Sequence, residues 1–354
     1  MDIADFIAQV RRNCDISDAR YWGYYSICGL LMRYRELYLN EQGLQPWDHV
    51  ETVDITPWIQ ERERRWELLE EEDFSPLVID GREFSPFDSD GVNALLCGSG
   101  LVYGSGYGVF TKPTFFVAGL AQRREEGDWL VHYTVGERCR DLFAAPAMLQ
   151  GRCIFVRRDI IRIILWERYQ TMRSRTYGGA LAEMFRLAGI GKEGLIAPDF
   201  SGRLDALADS LSPLFVRHEI GEAFEDDYGD VWLAILLEGC DKYGELYLRA
   251  IKDVLADTSI RGPLAGIIRE KDAFLMTAFA AFFEGTRREV FPDIRTAFHA
   301  YVDSGDWAFL EEARREAYEK AALLRDKVIN YWREARAEAG RAVFTKETVE
   351  ELLK

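Results

Sequence analysis

From about Ile160 to its C-terminus the chain repeats its apolar residues at helical spacing almost without interruption. Stretches such as "IIRIILWERYQTMRS", "GELYLRAIKDVLA" and "DWAFLEEARREAYEKAALLRDKVINYWREARAEAG" carry apolar side chains at i, i+3, i+4 and i+7, the pattern of helices that each bury one face. Further helices are predicted over "GALAEMFRLAG", "RLDALADSL", "PLFVRHEIGEAFED", "GDVWLAILLEGC" and "PLAGIIREKDAFLMTAFAAFFEGTRREV". A chain half built this way leaves any sheet to the other half.

The N-terminal half changes character midway. Ser17 or Asp18 can cap a helix through "ARYWGYYSICGLLMRYRELYLNEQ", ended by Gly43. Thr56-Pro57 starts a second helix, with the proline at its first position. "PLVID" and "CIFVRR" are strand candidates, and "SDGVNALL" is a short helix. "KPTFFVAGLAQRREEGDWLVHYTVG" predicts a β-hairpin turning near Glu126-Gly127-Asp128. In its second strand Trp129, Val131, Tyr133 and Val135 share one face, which is expected to be buried. The fold class that follows is α+β, predominantly α-helical, with a small antiparallel sheet in the N-terminal half. Residues 1–195 form the mixed region and 196–354 the all-helical region, with "LIAPDFSG" (Leu195–Gly202) as the linker between them.

Composition narrows the function classes. Formal net charge is -16, and phosphate repels so acidic a chain. The basic run "RERRW" (Arg62–Trp66) is diluted by the glutamates that follow, so nucleic acid is disfavoured as a partner. The longest apolar run, "AFLMTAFAAFF" (Ala273–Phe283), is far short of the ~20 residues a membrane span needs and reads as a buried helix. The N-terminus is acidic and carries no secretory pattern. Six scattered cysteines without a C-x-x-C pair fit reduced thiols in a cytoplasm, and they supply no cysteine zinc or iron–sulfur signature.

Two stretches invite chemistry. "CGSGLVYGSGYG" has five glycines between Gly98 and Gly108, yet Tyr103 stands where a dinucleotide loop needs its third glycine. A lysine followed by serine or threonine, as a P-loop requires, is also missing. Turns or a packed hairpin are the expected use, and a mobile cover over a pocket is the other. The second stretch is "RHEIGEAFEDD" (Arg217–Asp227). His218 and Glu222 are four apart and share one helix face, while Glu219 leaves the helix about 100° away. A zincin motif would place a second histidine where Glu222 stands. The predicted helix starts near Pro213 with Ser212 as its cap, and buries Val216, Ile220, Ala223 and Phe224. His218, Glu222 and Glu225 then form a solvated acidic face. They become a metal site only if a second element brings further ligands. Asp227, Asp230 and Glu36 are the acids to consider. Arg33 and Glu36, three apart on an apolar helix, are expected to pair.

"HEIGEAFEDD" is similar, over some ten residues, to the His-Asp helix of HD-domain metal phosphohydrolases. Glu219 takes the place of that family's aspartate, and no histidine stands on a preceding helix. The likeness implies His218 and Glu219 as metal ligands. Taken whole, the chain resembles an uncharacterised bacterial family of unknown function through "YYSICGLLMRYRELY", "FSPFDSDGVNALL", "GLVYGSGYG", "KPTFFVAGL", "RHEIGE" and "AIKDVLADT". That resemblance implies one co-inherited architecture and a bacterial cytoplasmic setting, and it implies no activity.

With no complete catalytic constellation, the sequence points to a soluble cytoplasmic protein that acts through protein interaction or assembly, using its helical half. The alternative is a metal-dependent enzyme, such as a hydrolase, with His218, Glu219 and Glu222 at the metal. A divalent ion is the one cofactor these residues leave open.

Overall fold

The computed structural model describes residues 2–96, 98–174, 179–191, 199–339 and 342–353. It divides into two units, Met1–Glu167 and Arg168–Lys354. Residue 195 and the first part of the expected linker lie outside the described residues. The predicted class holds: an α+β chain, mostly helical, whose sheets lie in the N-terminal half.

The first unit opens with α1 (Ile3–Tyr21), capped by Asp2, whose side chain accepts from the N–H groups of Ala4 and Asp5. Ser17 and Asp18, expected as caps, are buried inside this helix instead. Their side chains are engaged elsewhere, on Pro113, Lys112 and Leu142, and the stripe Phe6, Val10, Cys14 extends the helix backwards. A 3-10 turn, Trp22–Tyr24, separates α1 from α2 (Ile27–Glu41), which Ser26 caps. Next, α3 (Thr52–Leu69) begins a turn before Thr56-Pro57 and carries Pro57 inside. Arg33 and Glu36 pair at 2.6 Å, as their spacing suggests.

Two short strands, β1 (Leu77–Ile79) and β2 (Arg82–Phe84), pair antiparallel before α4 (Ser89–Leu96). The main sheet contains β3 (Leu101–Tyr107), β4 (Pro113–Glu126), β5 (Trp129–Arg140), β6 (Ala147–Gln150) and β7 (Cys153–Arg157), in the order β3-β4-β5-β7-β6. All neighbours are antiparallel except β5 and β7, which run parallel. The β4–β5 turn falls at Gly127, left-handed at φ 62, where the sequence places it. The burial expected along β5 is only partly found. Val131 is buried, but Trp129 and Tyr133 are half-buried, while His132 and Thr134 on the other face are buried. One face of the sheet packs Phe115 and Val117 against Phe6, Val10 and Cys14 of α1. On the opposite face Phe116, Ala118 and Phe155 form a second core. A strand covered on both faces loses the in–out contrast that alternation relies on.

The glycine-rich segment is β3, paired along its length with β4. A Cβ on Gly104 would stand 2.1 Å from the Phe116 ring, so this glycine gives a large side chain room to lie across the strand.

Residues of the second unit form helices throughout, apart from one isolated bridge between Cys240 and Phe344 among the described residues. The unit boundary falls within α5 (Arg158–Ser174). There follow α6 (Ala180–Leu187), α7 (Phe200–Phe224), α8 (Gly229–Glu238), α9 (Lys242–Thr258), α10 (Pro263–Glu270), α11 (Ala273–Phe282), α12 (Thr286–Val290), α13 (Asp293–Ser304), α14 (Ala308–Ala339) and α15 (Lys346–Leu352). No described helix is long and apolar enough to cross a membrane. The single helix expected over 263–290 is three. Lys271 closes α10 in the left-handed region (φ 54), and Asp272 caps α11 by accepting from Leu275 at 2.9 Å.

Helix α7 departs most from expectation. It does not start at Pro213 but runs through it. Leu204, Leu207, Leu211 and Leu214 carry one buried stripe across the proline, and this burial outweighs the lost backbone bond. Ser212, read as a cap, donates backwards to the Ala208 carbonyl at 3.1 Å.

Candidate metal centre

The sequence pattern turns His218 to the wet side of α7. The structure turns it toward α9. Gly221, one helical turn on, is the reason: a Cβ there would lie 2.4 Å from the Ala256 carbonyl oxygen. Only a glycine lets the two backbones approach so closely. Flanking that contact, α7 presents His218 and Glu222, and α9 presents Asp253 and Asp257, each pair spaced i, i+4. The outcome on the apolar side is equally plain. Val216 is buried, Ile220 and Ala223 are half-buried, and Phe224 is exposed.

His218 Nδ1 lies 2.8 Å from Asp257 Oδ1. Arg287, from α12, donates to the other oxygen of Asp257 at 3.0 Å and to the Phe282 carbonyl at 2.9 Å. The second imidazole nitrogen, Nε2, faces Glu222 at 3.6 Å. Glu222 also pairs with Lys252 at 3.3 Å. Asp253 completes the group: donor atoms of His218, Glu222 and Asp253 lie within 4.8 Å of one another.

Charge is concentrated here. Burial alone would depress the His218 pKa, but Asp257 and then Glu222 outweigh it and push it up to about 10. Burial would raise Glu222 and Asp257, yet both are held below the usual carboxylate range. Lys252 and His218 hold Glu222 down; His218 and Arg287 hold Asp257 down. Asp253 goes the other way. Burial raises it, and the attraction of His218 and Arg287 does not compensate. It is a half-buried carboxylate, and no described residue gives it a hydrogen bond or an ion pair.

Of the residues named from sequence, the structure brings His218 and Glu222 together. Glu219 lies half-buried on the neighbouring flank, outside the converging group. Glu36 is engaged with Arg33, and Asp227 and Asp230 are exposed. Asp253 and Asp257 were missed. Their signal was in "KDVLAD", which repeats the i, i+4 carboxylate spacing beside an apolar stripe. Nothing in the chain announced that α9 would dock on Gly221. The remaining histidines serve other ends: His132 is buried edge-on to Phe155, while His49 and His299 are exposed.

Residues 5–157 match the N-terminal domain, and residues 162–351 the C-terminal domain, of a family of unknown function, DUF6866. The chain belongs to that family. No curated protein and no solved structure matches it. The candidate centre lies wholly within the C-terminal DUF6866 domain, and no relative's name indicates an activity for either domain.

Proposed function

We propose that the C-terminal unit binds one divalent cation through His218, Glu222 and Asp253, and that the chain is a metal-dependent enzyme of hydrolytic type. The observation that carries this reading is Asp253, a partly buried carboxylate that converges on an imidazole and a second carboxylate and makes no hydrogen bond or ion pair among the described residues. Burying such a group without a partner costs free energy, and an ion would recover it. Asp257 supports the same reading. A ligating histidine commonly gives its other ring N–H to a carboxylate, which fixes the tautomer and orients the ring. His218 has that partner on Nδ1, leaving Nε2 for the ion. One imidazole and two carboxylates suit Zn²⁺, Mn²⁺ or Fe²⁺, and three protein ligands leave a position for water, as in hydrolytic centres. Lys252 and Arg287 stand beside the group as fixed positive charges able to face an anionic substrate.

The test is metal content and thermal melting of the full chain, with and without Zn²⁺, Mn²⁺ or Fe²⁺, against His218→Ala/Glu222→Ala. Near-stoichiometric metal and a rise in melting temperature, both lost in the double variant, are expected. Identical melting and no retained ion in either protein would refute the proposal.

A second reading, assembly through the helical half, rests on α8. Its sequence, "GDVWLAILLE", is apolar nearly all round, yet only Trp232 and Ile235 are buried. Leu233 and Leu237, four apart, are 43% and 59% exposed, an apolar stripe suited to a partner protein. As for setting, the five described cysteines are free thiols, which fits the reducing cytoplasm expected from the sequence.

A further inference from the structure

The first unit holds a cavity of about 220 Å³, unrelated in residues and chemistry to the centre just described. Its walls are aromatic. Tyr21, Tyr24 and Phe110 form a continuous stack, with ring centroids 5.7 and 5.0 Å apart, and Tyr25 and Phe143 add further rings. Phe110 reaches its place through strained backbone: it and Thr111 are consecutive non-glycine residues at φ 59 and φ 52. Such conformations cost roughly 1–3 kcal/mol each and persist where the surroundings over-determine them.

Beneath the cavity lies a rigid polar layer. Lys112 Nζ donates to Ser17 at 2.6 Å and contacts Asp18 at 3.0 Å and Asp141 at 3.1 Å. Asp141 in turn accepts from Thr114 and from the backbone N–H groups of Phe115 and Phe143. Asp18 accepts from the N–H of Leu142. Both carboxylates therefore pin the Phe143 wall, and the shape of the cavity is preorganised.

The charged residues lining it, among the described residues, are Arg33 and Lys112. The three N–H bonds of Lys112 are taken. Arg33 spends one nitrogen on Glu36; its remaining N–H groups make no further hydrogen bond among the described residues, although the charge of Glu167 also acts on it. The hydroxyls of Tyr21 and Tyr25 likewise make no hydrogen bond among the described residues. A cavity of ~150 Å³ accommodates a benzene ring, so this one has room for a ring and a short substituent. We infer that the N-terminal unit binds a small aromatic carboxylate, its ring against the Tyr24–Phe110 wall and its carboxylate on Arg33, with the tyrosine hydroxyls as further donors.

The experiment is calorimetric titration of the full chain with benzoate, 4-hydroxybenzoate and indole-3-acetate. Benzyl alcohol, cyclohexanecarboxylate and phenyltrimethylammonium serve as comparators. Expected is saturable 1:1 binding of at least one aromatic carboxylate, at least tenfold tighter than the neutral, aliphatic or cationic probe. Arg33→Met should weaken it at least tenfold, Arg33→Lys less, and Phe110→Ala should weaken ring-bearing probes more than cyclohexanecarboxylate. Melting temperatures of the variants establish that they fold. Absence of saturable binding by all three aromatic acids at millimolar concentration overturns the inference. So does preference for the cationic probe, or binding indifferent to both Arg33→Met and Phe110→Ala in folded protein.

Discussion

At the scale of single residues, His218 and Asp257 dominate the C-terminal unit. His218 has a folded pKa of about 10 against an ordinary 6.5, so it folds as an imidazolium when no metal is present. A raised pKa stabilises the fold fully below the unfolded value and ceases to do so once pH passes the folded one. In the presence of chelator, stability should therefore decline between about pH 6.5 and 10, by on the order of 3 kcal/mol after discounting for the partly exposed ring. Urea unfolding across that range measures it, and His218→Gln should flatten the slope. An equally steep decline in the variant would place the effect on other groups. Asp257→Asn removes the partner of both His218 and Arg287, and breaking a buried pair of this kind costs roughly 3 kcal/mol. A loss below 1 kcal/mol in denaturant unfolding would show that the network holds little energy.

Between elements, the contact of α7 with α9 creates the candidate centre, and Gly221 controls that contact. Gly221→Ala places a methyl group against the Ala256 carbonyl. A helix interior would otherwise welcome alanine by about 0.5–1 kcal/mol. Here it should destabilise by about 1–3 kcal/mol through overpacking, and it should weaken divalent-ion binding as the helices separate. Stabilisation by this substitution, seen in thermal melts, would mean that the two helices are not in close contact. The same level explains what could be read in advance. Hairpin, short helix α4 and the run of C-terminal helices were all legible, because period and turn chemistry are local signals. Local signals misled where tertiary partners intervened. Ser17 and Asp18 look like caps but bond across the unit, and Pro213 looks like a start but lies beneath a leucine stripe. The candidate centre was half legible for the same reason: α7 advertised its pair, whereas the partners Asp253 and Asp257 are brought in only by packing.

For the whole molecule, two DUF6866 domains coincide closely with two compact units, and each carries its own buried polar layer. The surface of α8 gives the assembly reading a direct check. Leu233→Glu with Leu237→Glu should leave the melting temperature within a few degrees, since exposed substitutions cost little, while reducing any self-association seen by light scattering. An unchanged association state in wild type and variant would remove α8 from consideration. The central claim is tested most directly by equilibrium dialysis of the full chain against Zn²⁺ or Mn²⁺, with metal counted by mass spectrometry in wild type and Asp253→Asn. The account predicts about one ion retained per wild-type chain and a loss of most of it in the variant, whose melting temperature in chelator is no lower than that of wild type, since the substitution removes a carboxylate that burial disfavours. Equal retention by the two proteins, or none by either, would contradict it.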